Sequence, residues 1–118
     1  MDLYCYKAEL SRVVDGDTVD AVLDLGFGIY HKLRIRLAGI DAPETRTRDL
    51  AEKKEGKAAH KRLEELLIGA SGRDGRFVVQ TELDKRGKYG RILGTLFVGD
   101  VNINELLIQE GHATRYEG

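Results

Sequence analysis

Between Arg34 and Glu44 the chain reads Arg-Ile-Arg-Leu-Ala-Gly-Ile-Asp-Ala-Pro-Glu, two guanidinium groups followed closely by two carboxylates. Arg34 and Arg36 alternate with Ile35 and Leu37, so a strand of period two buries the aliphatic pair and turns both arginines to the opposite face. Pro43 then fixes its own φ and pushes Ala42 into an extended conformation, which sets Asp41 and Glu44 on either side of a stiff bend. Such a set suits a metal-assisted reaction at phosphate. The carboxylates are oxygen ligands for a hard cation or a base for water, and the arginine fork matches a phosphate.

Asp-Ala-Pro-Glu is also an ordinary surface turn, and alternating arginines often only solvate a strand. Taken alone, the stretch favours that plainer interpretation. Two further stretches bear on it: Val14-Asp15-Gly16-Asp17-Thr18 and Lys88-Tyr89-Gly90-Arg91. Each has its own plain explanation, since Asp-Gly makes hairpin turns and Lys-Tyr-Gly-Arg is a common polar turn.

The elements that must position these groups follow from pattern. At 118 residues, with 42% hydrophobic and 33% charged residues, the chain is expected to be one domain spanning 1–118. No apolar run approaches bilayer length, and the first residues lack the basic-then-apolar order of a secretory signal. The expectation is therefore no membrane segment, and a cytoplasmic protein or one secreted after removal of a signal. The net charge of −1 excludes a general attraction to polyanions, so nucleic acid must be met by local clusters such as Lys32/Arg34/Arg36 and Lys85/Arg86/Lys88/Arg91. The single cysteine, Cys5, cannot form an intramolecular disulfide and reads as a small buried strand residue.

Leu3–Val14, Thr18–Leu25 and Ile29–Ala38 read as three strands joined by short turns. A polar loop leads into a helix over Leu50–Ile68, with Ala59, Leu63, Leu66 and Leu67 at helical spacing and Gly69 closing the run. His60 lies beside that stripe with no second ligand at suitable spacing, so it reads as a partly exposed helix residue. Arg76–Leu83 and Arg91–Val98 are the fourth and fifth strands. Asn102 or Asn104 can cap a short helix that ends before Gly111. This order predicts a mainly β, α+β domain: a five-stranded oligonucleotide-binding (OB) barrel, with a long helix after strand 3 and a short one after strand 5. A partly open sheet packed on two helices fits the pattern equally well.

Taken together, the three stretches resemble the staphylococcal nuclease (thermonuclease) family over about Ala8 to Ala113. The shared motifs are Asp-Gly-Asp-Thr, Arg-Leu-x-Gly-Ile-Asp-Ala-Pro-Glu, Glu-Gly-Lys-Ala-Ala in the helix, Lys-Tyr-Gly-Arg, and Asn-x-x-Leu-x-x-x-Gly. The resemblance implies the OB barrel and a calcium-dependent phosphodiesterase that cuts DNA and RNA, leaving 3′-phosphates. By position, Asp17 and Asp41 match calcium carboxylates, and Ala42 matches a residue that offers its carbonyl to the metal. Glu44 matches the residue that orients or deprotonates water, and Arg36 and Arg91 match the phosphate-holding arginines. Asp15 matches a supporting acid, while Lys88 and Tyr89 match contacts to a terminal phosphate. One departure is Tyr116, which stands one residue before the family's base-stacking tyrosine position, now Glu117.

The expected substrate is single-stranded DNA and RNA, handled by a monomer. The competing function is a non-catalytic OB module that binds nucleic acid or protein. A binding-only copy has no reason to keep Asp17, Arg36, Asp41, Glu44 and Arg91 together, and here all five are present.

Overall fold

Each of the expected strands and helices forms. The structure, a computed structural model, describes residues 4–68, 75–82 and 91–116. Strands β1 (Cys5–Asp15), β2 (Thr18–Asp24) and β3 (Tyr30–Leu37) make an antiparallel meander. Strand β4 (Ile40–Asp41) leads toward helix α1 (Leu50–Ile68), followed by strands β5 (Arg76–Glu82) and β6 (Arg91–Val98). The short β7 (Val101–Asn102), helix α2 (Ile103–Gln109) and β8 (Thr114–Arg115) complete the described chain.

The sheet runs β3-β2-β1-β5-β6-β7, and a parallel pairing of β3 with β6 joins its ends. That pairing decides between the two arrangements left open by the sequence. The five long strands form a closed barrel, which removes their edges and fills the interior with side chains from every strand. Val19, Ala21, Leu23, Ile35, Leu37, Val79 and Leu96 are all at most 2% exposed. Gly94 is required at the seam, because a Cβ there would meet Val79 Cγ2 at 2.7 Å and Ile35 Cγ2 at 2.8 Å.

Helix α1 starts where Asp49 Oδ1 accepts the amides of Ala51 (3.0 Å) and Glu52 (3.3 Å). Its buried stripe is Gly56, Ala59, Leu63 and Leu67, with Leu66 partly buried against the core. Burying Leu63 and Leu67 contributes about 1.5–3 kcal/mol each, enough to fix the helix across the barrel end. His60 adds a polar tie, its Nε2 donating to the Val13 carbonyl at 2.9 Å.

The two asparagines divide their roles. Asn102 caps α2 by accepting the Glu105 amide at 3.1 Å. Asn104 is buried, accepts the Leu96 amide at 3.1 Å and donates to the carbonyls of Ala38 (2.9 Å) and Gly94 (3.1 Å). It thereby ties α2, β6 and the end of β3. Cys5 begins β1, though half-buried rather than fully buried as expected. No helix among the described residues is long and apolar enough to cross a membrane.

Candidate active site

The β1–β2 turn, the end of β3 and the Pro43 bend meet at one place, and small residues allow it. Gly16 is buried, and a Cβ on it would lie 2.6 Å from the Ala59 Cβ and 3.0 Å from the Ala42 Cβ. On the same helix, a Cβ on Gly56 would lie 2.5 Å from the Glu44 carbonyl oxygen. Any larger side chain at either glycine pushes helix α1 away from the turns that carry the acids. This is the physical content of Glu-Gly-Lys-Ala-Ala: its glycine and its last alanine are the contact surface.

Asp17 is the hub, only 8% exposed. Its Oδ1 accepts the Thr18 hydroxyl at 2.9 Å, its Oδ2 accepts the Ala42 amide at 2.9 Å, and its carbonyl accepts the Leu37 amide at 2.8 Å. One residue thus pins the hairpin to the end of β3 and to the bend. Arg36, opposite Thr18 in the β2–β3 ladder, bridges the acids: Nη1 lies 3.0 Å from Asp17 Oδ2 and Nη2 lies 3.3 Å from Asp41 Oδ1. Asp15 Oδ1 accepts the Thr45 hydroxyl at 2.9 Å, which anchors the chain just after Glu44. Asp15, Asp17, Thr18, Arg36, Asp41, Ala42 and Glu44 line one cavity of about 190 Å³.

The charge balance inside that cavity is informative. Arg36 Nη1 is buried and close to Asp17, yet its N–H directions give it no hydrogen-bond partner. The contact is ionic rather than directional. Arg36 supplies the positive charge that Asp17 and Asp41 call for. Among the described residues no three acidic, imidazole or thiol side chains cluster to cage a metal. A set made only of oxygens, with two carboxylates and open sides, fits a weakly held hard cation that shares its shell with substrate and water. The residues present therefore fit a hard cation of that kind.

Arg34 belongs elsewhere. Its Nε and Nη2 bind the Asp20 carboxylate at 2.8 and 3.3 Å. That hydrogen bond holds the Asp20 carboxyl below its ordinary range and raises Arg34 above its own. Of the two alternating arginines, only Arg36 enters the cavity.

The expected site residues Asp17, Arg36, Asp41, Ala42 and Glu44 therefore converge. Arg91 opens β6 and is paired in the parallel ladder with Arg34, one strand over from the site. Lys88 and Tyr89 lie outside the described residues. Sequence reasoning passed over Thr45, whose signal is its place directly after the Pro-Glu bend, and the placement of Tyr116. The Tyr116 ring lies against Arg36, with 5.8 Å from the guanidinium carbon to the ring centre. The largely apolar groove lined by Ala8, Val22, Tyr30, Phe77, Val78 and Phe97 contains none of these groups.

The family described as staphylococcal nuclease homologue matches residues 34–118. A micrococcal nuclease of Shigella flexneri is 32% identical over 120 residues, covering 94% of this chain and 59% of that protein. Endonuclease YncB of Bacillus subtilis (strain 168) is 34% identical over 107 residues, 88% of this chain and 45% of its own length. A thermonuclease of Staphylococcus intermedius is 32% identical over 104 residues, 88% of this chain and 56% of its own. The chain thus spans about half the length of these relatives.

Proposed function

Because the chain belongs to the staphylococcal nuclease family, we propose that it is a nuclease that hydrolyses phosphodiester bonds of DNA and RNA, acting as a monomer. The observation that carries the proposal is the meeting of Asp17, Arg36, Asp41 and Glu44 around one cavity. A folded binding module needs no such set. Here the acids and Arg36 are held together at a cost in repulsion and desolvation.

Calcium held by Asp17, Asp41 and the Ala42 carbonyl would supply fixed positive charge beside the scissile phosphate. Glu44, exposed at the cavity rim, takes a proton from water as the water oxygen attacks phosphorus. The bond from phosphorus to the 5′-oxygen breaks, the leaving oxygen takes a proton from solvent to become a 5′-hydroxyl, and a 3′-phosphate remains. Arg36 and Arg91 hold the equatorial oxygens, where a planar fork matches the developing charge better than a lysine's point charge. Lys88 and Tyr89 contact the substrate's terminal phosphate. Single strands are the preferred substrate, since a chain of net charge −1 must hold the strand by local clusters and stacking.

The test is cleavage of single-stranded DNA with calcium and then with chelator, followed by fragment length and end chemistry. The expected result is calcium-dependent shortening to fragments ending in 3′-phosphate, largely lost in Arg36→Lys. Absence of cleavage with any divalent cation, while oligonucleotide binding persists, would leave the binding module in its place.

A further inference from the structure

Arg36 is held from three sides. Two contacts are the ion pairs with Asp17 and Asp41, at 3.0 and 3.3 Å. These use the carboxylates that the proposed function gives to a cation. Carboxylates neutralised by a divalent ion attract a guanidinium far less. The third contact, the Tyr116 ring, uses no carboxylate.

We propose that Tyr116 is a positioning residue for Arg36, its ring retaining the guanidinium at the cavity mouth when Asp17 and Asp41 turn to the cation, so that the fork stays aimed at phosphate. This rests on the nuclease reading above. Two observations support it besides the ring's position. First, the backbone beneath the ring is fixed independently of the acid side chains. The Tyr116 amide donates to the Gly39 carbonyl at 2.8 Å, and the two residues before it pair with β4 as Ile40↔Arg115 and Asp41↔Thr114. Arg115 is further tied to Glu105 of α2 by a two-pronged contact at 3.1 and 3.0 Å. Gly39 itself has φ +76°, a conformation that turns the chain so its carbonyl is available to Tyr116. Second, the Arg36 side chain is only 16% exposed. Cation–π attraction is stronger where water is excluded than on open surface.

Arg36 thus has two states in one place. With the acids unoccupied it serves as their counter-ion, and with the acids engaged it rests on the ring and serves phosphate. The sequence departs from the family pattern at this point, because the ring stands one residue before the position that stacks a base. That one-residue shift trades a contact to substrate for a contact to the enzyme's own arginine.

The experiment compares full-length wild type, Tyr116→Phe and Tyr116→Leu. The Arg36 Nε–Hε resonance is followed by NMR without metal and with calcium. Affinity is measured for deoxyribose 3′,5′-bisphosphate, which has no base, and for thymidine 3′,5′-bisphosphate, and kcat and KM are measured on single-stranded DNA. The phenylalanine variant should keep the ring-current shift of the Arg36 signal, and the leucine variant should lose it, most visibly with calcium. Leucine should weaken the baseless bisphosphate about fivefold and lower kcat by a similar factor, with phenylalanine close to wild type. The proposal is overturned if leucine leaves the Arg36 signal and baseless affinity unchanged. It is also overturned if the loss is confined to the thymidine compound, since the ring would then be reading the base. An inactive wild type would sink the nuclease reading alone, because the resonance and the baseless probe still decide the role of Tyr116.

Discussion

Gly56 of helix α1 stands so close to Glu44 that a Cβ on it would come within 2.5 Å of the Glu44 carbonyl oxygen and 2.7 Å of the carbonyl carbon. Glycine inside a helix costs about 1 kcal/mol relative to alanine. The close approach of helix to bend outweighs that penalty here. Gly56→Ala should therefore destabilise the fold by about 1–3 kcal/mol despite the better helix propensity. It should also displace Glu44 and lower turnover more than binding. A thermal melt paired with kcat and KM on single-stranded DNA checks both parts. A variant that melts higher than wild type would mean the bend yields easily.

Glu44 makes no hydrogen bond or ion pair among the described residues, so its removal should leave the fold intact. Glu44→Gln keeps shape and removes basicity. Turnover with saturating calcium should fall on the order of 10²- to 10⁴-fold, while affinity for a nucleotide bisphosphate stays near wild type because Arg36 remains. Unchanged turnover would take Glu44 out of the mechanism.

From a nearly sealed position on α2, 3% exposed, Asn104 binds three backbone groups, two on β6 and one at the end of β3. Asn104→Ala leaves a buried amide and two carbonyls without that partner. The expected loss is on the order of 2–3 kcal/mol in denaturant unfolding. Asn102→Ala, at the cap, should cost only about 1 kcal/mol. Equal losses would show that the buried ties are replaced by water.

Calcium should bind weakly by itself and more tightly with a 3′,5′-bisphosphate nucleotide, since the protein offers few ligands and phosphate adds another oxygen. Arg36 sharpens this expectation. Its contacts with Asp17 and Asp41 must be given up when a cation takes those oxygens, and a phosphate gives the displaced guanidinium a new partner. Calorimetry with and without nucleotide measures the coupling, and equal affinities would argue against a shared site.

A pH effect should arise away from the site. Arg62 Nη2 donates to Glu110 Oε2 at 2.8 Å, joining α1 to the end of α2, and this hydrogen bond chiefly holds the Glu110 carboxyl below its ordinary range. The folded pKa lies below the unfolded one. The stabilisation is thus complete above about pH 4.3 and disappears as the pH falls through the folded value. The pair is partly exposed, so its worth is below about 1 kcal/mol. Arg62→Gln should be slightly less stable than wild type near neutral pH, and the difference should vanish once the pH has fallen below the folded value of Glu110. A gap that persists in acid would point to packing of the arginine stem instead.

The acids and Arg36 were legible because residue type, alternation and a proline bend act over a few residues. The long strands and α1 were legible for the same reason. Closure of the barrel was not, because a parallel β3–β6 pair leaves no mark in either strand's period. Nor was the division between Asn102 and Asn104, since both suit a cap and only the direction of α2 turns one inward. Tyr116 reaches Arg36 through a ladder of just two residue pairs, too short for any pattern to announce. Cys5 sits at the first position of β1, where a strand end admits water that the strand middle does not.

The β4–β8 ladder joins Asp41 to Thr114, groups 73 positions apart along the chain. During synthesis the residues of the Pro43 bend leave the ribosome long before the segment that braces them. Loop closure over that span is slow compared with forming the β1–β2–β3 meander. A partly made chain therefore carries every acid of the site without its brace, and cutting power should arrive late and all at once. If the proposed activity extends to RNA, that order keeps the nascent chain harmless to the message it is being read from. Stopped-flow refolding should show strand signal ahead of nucleotide affinity.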